Sequence, residues 1–400
     1  TTKLPPLQSL SPVLVPGSTS QRYYPAAYGG DPTGVNDSSG AFAALVSDMV
    51  QHAPSVLNES NAYVDLGGAV LDLDGGVYRL TAPVSFAAGL SNFFVNSGSL
   101  FADPAFPANR SLVEVGVGCG EERGGSCGAY FGMTDVNLHA ANVAWGCLLV
   151  SSFQYASVGP AFTCLGFEGA GVWFAGTGGS YLVGSWMGQF EPKSGIIPTA
   201  TAVQINGTEH DSFVKMLVVW SARVGVVSAN GANQLEGIHT WNLDAMENGV
   251  GVLLQKGRGR VENCYLDYTP LVVWDPEGVV VSSTLFLAAA SLQLVATKPN
   301  TTIHSLTVTS NLFDTSNATI TIDSSNGTFN NITNSVIANN AYVEDTWIRG
   351  KQAPKSTQAT LTVPAPSPFS PDPTQLTLDF SPFLAIPTIP IITAQCHLDN

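Results

Sequence analysis

Between residues 209 and 269 the chain gathers the side chains best suited to chemistry: Asp211, Asp244 and Asp267, His239, and the basic run Lys256, Arg258 and Arg260. Paired carboxyls perform inverting glycoside hydrolysis, in which a protonated acid donates to the leaving oxygen and an ionised one about 6.5–9.5 Å away activates water. His239 would orient that water or bind a sugar hydroxyl, and bidentate arginine suits a uronate carboxylate. Trp173, Trp186, Trp220, Trp241 and Trp274 offer flat apolar faces for sugar rings. Each group also has an ordinary structural alternative. Corner carboxylates commonly cap backbone N–H groups, a histidine bonds within a stack, basic residues decorate strand edges, and tryptophans fill cores.

Positioning such groups requires a scaffold, and the scaffold is written as repetition. Short β-type runs return every 20 to 30 residues or so: 171–174, 202–205, 224–227, 250–254, 271–274, 292–295 and 319–322. Gly, Asn, Ser and Thr fill the corners, and nothing between the runs is periodic enough for a helix. The spacing is one coil of an all-β, right-handed single-stranded parallel β-helix, a solenoid whose rungs stack inward side chains into one narrow core. Such a solenoid exposes a long shallow groove suited to an extended polymer.

Residues 1–22, rich in Pro and Ser, are expected to form an extended arm, and 23–350 the β-helix domain. Ser38 or Ser39 N-caps the one convincing helix, about 40–51, whose Phe42, Leu45, Val46 and Met49 share a face that would cap the open end of the solenoid. The Pro-rich segment 351–400 is too short for its own core and reads as a C-terminal cap.

Charged residues make up only 11% of the chain, so another feature must keep its surface soluble. Covalent N-glycans are the candidate, on Asn-x-Ser/Thr at Asn36, Asn58, Asn109, Asn206, Asn300, Asn317, Asn326 and Asn331. A net charge of −15 argues against nucleic acid and anionic membranes, and fits a polyanionic ligand only where positive charge is concentrated locally. No apolar run is long enough to insert in a membrane. The first residues lack an initiator Met and an apolar signal core, and read as a processed terminus. Six cysteines suit an oxidising compartment: Cys119 and Cys127 flank a short loop, Cys147 and Cys164 would sit on neighbouring coils, and Cys264 is either a buried thiol or bridged. No metal or cofactor is expected, because the cysteine spacing is not zinc-like and Asp72-Leu73-Asp74 reads as a turn.

Two segments carry a family resemblance. Tyr28-Gly29-Gly30-Asp31-Pro32-Thr33-Gly34 and the residues to Ser38 resemble the entry motif of the pectate-lyase-like β-helix superfamily. Residues 231–239 (Gly231-Ala232-Asn233-Gln234-Leu235-Glu236-Gly237-Ile238-His239) and 261–269 resemble plant polygalacturonase-like proteins of the type that separates pollen tetrads, as does the ending 378–387. The likeness spans about 23–396 and implies a β-helix acting on galacturonan-like cell-wall polysaccharide. It places Asp211 and Asp267 in rung or corner positions. The polygalacturonase strings Asn-Thr-Asp, Asp-Asp, Gly-His-Gly and Arg-x-Lys are absent; their nearest echoes are Gly237-Ile238-His239, Asn242-Leu243-Asp244 and Lys256 to Arg260.

Two functions follow. One is a secreted glycoside hydrolase of the extracellular space or cell wall, with Asp211, Asp244 and Asp267 as candidate acid and base. The other is a non-catalytic, glycosylated β-helix with a glycan-binding or structural role, as a homo-oligomer or a part of an extracellular assembly.

Overall fold

A computed structural model describes residues 21–53, 55–57, 63–118, 127–176, 178–189, 199–206, 211–241, 243, 249–315 and 320–342. The expected arm (1–22) and C-terminal cap (351–400) lie outside them, except for Gln21 and Arg22. Strands wind through successive coils of a right-handed parallel β-helix, and among the described residues every strand pair is parallel except Ser55–Leu57 with Tyr63–Asp72. Each coil contributes to three faces. A 20-stranded sheet bends along its length into a first and a second face, and a 10-stranded sheet makes the third. The seven runs read from sequence all fall in that third sheet, in register from Ala170–Ala175 through Ile320–Asp323.

The bend between the first two faces has one cause. A residue with left-handed backbone recurs at the same place in each coil: Gly184, Met216, Gly237, Asn263, Ser283 and Ser310, with φ between 51° and 64°. That residue also shifts the strand alternation by one. In Asn233–Trp241, Asn233 and Leu235 point inward before Gly237, whereas Ile238 and Thr240 do so after it. The outward set is therefore Gln234 and Glu236 on the first face, then His239 and Trp241 on the second. Gly, Asn and Ser tolerate this conformation far better than branched residues, which is why turn-forming residues mark the corners.

The interior is stacked apolar side chains, including Phe93 on Phe131 with centroids 5.3 Å apart and Phe286 on Phe313 at 4.6 Å. Burying each such ring stabilises the fold by about 2–3 kcal/mol. Beside the bend, polar side chains replace apolar ones in the last coils. Asn311 accepts the Thr284 N–H (3.0 Å) and donates to Val281 O (3.1 Å), while its own N–H donates to Asn340 Oδ1 (3.0 Å). Cys147 and Cys164, on neighbouring coils as expected, are joined with Cα atoms 5.9 Å apart. Cys127 is also disulfide-bonded; Cys119 lies outside the described residues. Cys264 is the buried thiol, and burial pushes it up to about 11.

Helix Ser39–Gln51 buries Ala41, Phe42, Leu45 and Met49, with Phe42 edge-on to Tyr78 of the first coil at 5.4 Å; Val46 is only partly buried. Ser38 makes no side-chain N-cap bond; its hydroxyl instead accepts the Asp31 N–H at 2.9 Å. Among the described residues no helix is long and apolar enough to cross a membrane.

Candidate active site on the second face

The outer side of the second face carries a continuous set of aromatic and acidic residues. Trp186 and Gly188, Val218 and Trp220, His239 and Trp241, then Tyr265 and Asp267 stand on four consecutive coils. Register places them in two columns along the solenoid axis. One runs Trp186, Val218, His239, Tyr265; the other Gly188, Trp220, Trp241, Asp267. Trp186 and Trp241 are 57% and 58% exposed, and among the described residues no tryptophan belongs to the buried core, unlike the core-filling role expected for most tryptophans near rungs.

Gly188 makes this platform possible. A Cβ there would lie 2.5 Å from both the Trp220 ring and the Trp220 carbonyl oxygen, so only glycine lets the indole lie over the preceding coil. The Trp220 indole N–H donates to Gln189 O at 3.0 Å, and its ring meets Trp186 edge-on at 6.1 Å. Trp173 and Trp274 are on the third sheet, away from this surface.

Asp267 is half-buried, its backbone N–H donating to Thr240 Oγ1 at 3.1 Å. The column continues through Leu287 to Asp314. Two coil steps put the backbones of Asp267 and Asp314 about 9.5 Å apart. Burial first, then the negative charges of Asp267 and Asp314, raise the Tyr265 phenol above its ordinary value, so it remains a hydrogen-bond donor. The His239 and Tyr265 rings are 4.5 Å apart.

The expected residues are only partly brought together. His239, Trp241 and Asp267 share the second face, while Arg260 is on the adjoining first face. Asp211 is exposed, with left-handed backbone, in the turn before Phe213–Trp220, so it faces elsewhere than Asp267. Asp244 lies outside the described residues. Lys256 and Arg258 belong to the turn after the third sheet, where Arg258 pairs with Glu277. On the first face Arg260 lies 3.6 Å from Glu262, and Lys215 is 3.0 Å from Glu236. Of the sequons, Asn36, Asn109, Asn300 and Asn326 are exposed and Asn206 and Asn331 half-buried; Asn58 and Asn317 lie outside the described residues. Asn36 Nδ2 donates to Asp31 at 2.8 Å.

Asp314, Gly188 and Glu262 were not singled out from sequence. Aligning the chain coil by coil would have found Asp314, because Asp267, Leu287 and Asp314 hold one position in successive repeats.

These coils define the class: a right-handed parallel β-helix. Solved structures share that fold at low identity. An endo-xylogalacturonan hydrolase from Aspergillus tubingensis matches with a TM-score of 0.52 and 12% identity, over 82% of this chain and 86% of that one. The Geobacillus virus E2 protein ORF18 matches at 0.54 and 11% identity, over 81% of this chain and 61% of that one. A tailspike of E. coli bacteriophage HK620, in complex with a hexasaccharide, matches at 0.51 and 12% identity, over 79% and 65%. More particularly, the chain is similar to Polygalacturonase QRT3 of Arabidopsis thaliana. The two are 28% identical over 389 residues, covering 94% of this chain and 76% of the relative. No family model matches the chain.

Proposed function

We propose that the chain is a secreted, polygalacturonase-like glycoside hydrolase that holds a cell-wall galacturonan along the second face. The observation that carries this is the run Trp186, Trp220, Trp241 and Asp267, which sets stacking surfaces beside a carboxyl on successive coils. Sugar rings pack on the indoles, and the two-coil backbone spacing of Asp267 and Asp314 is of the order an inverting acid–base pair needs between its carboxyls. Asp267 and Asp314, both half-buried and both near the protonated Tyr265, would supply the acid and the base that activates water. His239 supplies a further polar contact to the sugar.

One observation favours the second reading, a glycan-binding β-helix without turnover. Leu287 stands between Asp267 and Asp314 in their own column, where the attacking water would sit. Reducing-end release from pectic substrates decides between them. A hydrolase loses release on Asp267→Asn and on Asp314→Asn with its thermal unfolding unchanged. A binding protein releases nothing as wild type, yet is retained on an immobilised pectin column.

A further inference from the structure

The first face holds an aromatic trough beside the point where the chain enters the solenoid. Register sets one outward column along it, Val70, Phe94, Gly132, Ser157, Tyr181 and Phe213, on successive coils. Val70 and Phe94 are buried there although they point away from the stacked interior, to which Ala69, Leu71, Phe93 and Val95 belong. Tyr181 and Phe213 stack at 5.3 Å and close the upper end. Phe94 closes the lower end, leaning so far over Gly132 that a Cβ there would strike its ring. Two residues ahead of Gly132 and Ser157 on the same strands stand Tyr130 and Tyr155, which wall one side. Their rings stack at 5.2 Å and are 42% and 49% exposed, on left-handed backbone that bulky residues seldom adopt. Ser157, the small residue between these rings, is the low point.

The chain itself carries a matching occupant. Gln21 enters at the foot of the column, where its carbonyl accepts the Val70 N–H at 2.9 Å. Ahead of it, Pro5, Pro6, Pro12 and Pro16 favour polyproline II, and Leu7, Leu10 and Val13 recur at three-residue spacing. In polyproline II three residues make one turn and advance about 9.3 Å, so these apolar side chains share one side. Two coil steps advance about 9.5 Å. From this match we infer that residues 5–16 lie along the first face, with Val13 beside Phe94, Leu10 over Ser157 and Leu7 beside Phe213. Aromatic-lined troughs hold Pro-rich segments in this way, because an already extended chain loses little entropy on docking. From Val13 to Gln21 the chain reaches as far as about 26 Å, ample for a return to the foot of the column, and Gly17-Ser18-Thr19-Ser20 supplies the turn. The segments outside the described residues that border the trough, 119–126, 177 and 207–210, are rich in Gly and Glu and bring no large apolar side chain. The C-terminal segment begins at the far end of the solenoid. The assignment is independent of what the second face binds.

The test uses the full chain, first as the double variant Leu10→Cys, Ser157→Cys under mild oxidation. A disulfide within one chain is expected between these positions, read by peptide mass. None is expected in the control Leu10→Cys, Thr307→Cys, whose partner stands in the same column six coils further on. Mixing isotopically heavy and light chains shows whose arm is bound. Links between heavy and light chains would give the trough to a second copy and overturn the assignment. The second readout is elastase cleavage after Val13 and Leu14. Ser157→Arg fills the trough, so its arm should be cut about tenfold or more faster than that of wild type, where docking protects it. No link at Ser157, or one as abundant at Thr307, overturns the inference, and so do equal cleavage rates in wild type and Ser157→Arg.

Discussion

The imidazole of His239 and the phenol ring of Tyr265 stand 4.5 Å apart at register-paired positions on consecutive coils, one step along the axis from Val218 and from Leu285. The contact is between rings, so the Tyr265 hydroxyl is left for other partners. Tyr265→Phe should keep thermal stability within about 0.5 kcal/mol of wild type, because the ring survives. Tyr265→Ala should cost about 1 kcal/mol or more, since it removes the ring contact and part-buried area. Chemical denaturation of the two variants checks this; equal losses would show that the hydroxyl, not the ring, does the holding.

Gly188 should tolerate no side chain. Gly188→Ala would place a methyl 2.5 Å from the Trp220 ring and carbonyl, so either the indole leaves its seat or the coils separate. We expect a loss of about 1–3 kcal/mol together with a red-shifted tryptophan emission. The double variant Gly188→Ala, Trp220→Ala should lose less than the two single effects added, because the ring clash is gone.

Asn311→Ala should be among the most damaging substitutions of the last coils. It leaves the buried Thr284 N–H and Val281 carbonyl without the partners Asn311 provides. A penalty of about 2–4 kcal/mol is expected, seen as a lowered denaturant midpoint. Asn311→Asp keeps the acceptor for Thr284 but loses the amide donor, and should fall between the two.

Acid sensitivity should be visible in the entry turn. Asp31 accepts the Thr33 N–H and hydroxyl and the Asn36 N–H and side-chain amide, which hold its carboxyl well below the ordinary 3.8. A depressed folded value contributes stability above the unfolded value and loses it as pH falls through the folded one. The advantage of wild type over Asp31→Asn in melting temperature should thus be constant from pH 7 to about 4 and shrink below that. A gap that stays constant down to pH 2 would show that the charge is not what matters.

Legibility from sequence followed physical locality. The third sheet was plain because its runs are dense in Val, Ile and Leu, as in Val250–Leu254 and Leu271–Trp274. The first two faces were harder, since one left-handed residue in mid-strand breaks the alternation that identifies a strand: Met216 interrupts Phe213–Trp220 in this way. The site was least legible. His239, Trp241 and Asp267 were recognised individually, but their sharing a face depends on coil lengths. Asp314 reaches the Asp267 column only through register across two coils of unequal length. The ion pair that neutralises Lys215 depends likewise on which strands lie side by side, whereas Arg260 and Glu262 share one strand.

The recurrent left-handed bend makes each coil interchangeable in length but not in heading. Because the chain turns at matching points from Ser97 and Asp135 through Asn339, the angle between the first two faces is reset on every circuit and does not drift. The solenoid therefore behaves like a ruler whose graduations can be excised. Removing residues 268–287 would delete one graduation and slide Asp314 next to Asp267, with no need to re-aim either side chain. Distances between outward groups here change in whole coil steps, so a lineage could switch the spacing of two carboxyls by a single in-frame deletion.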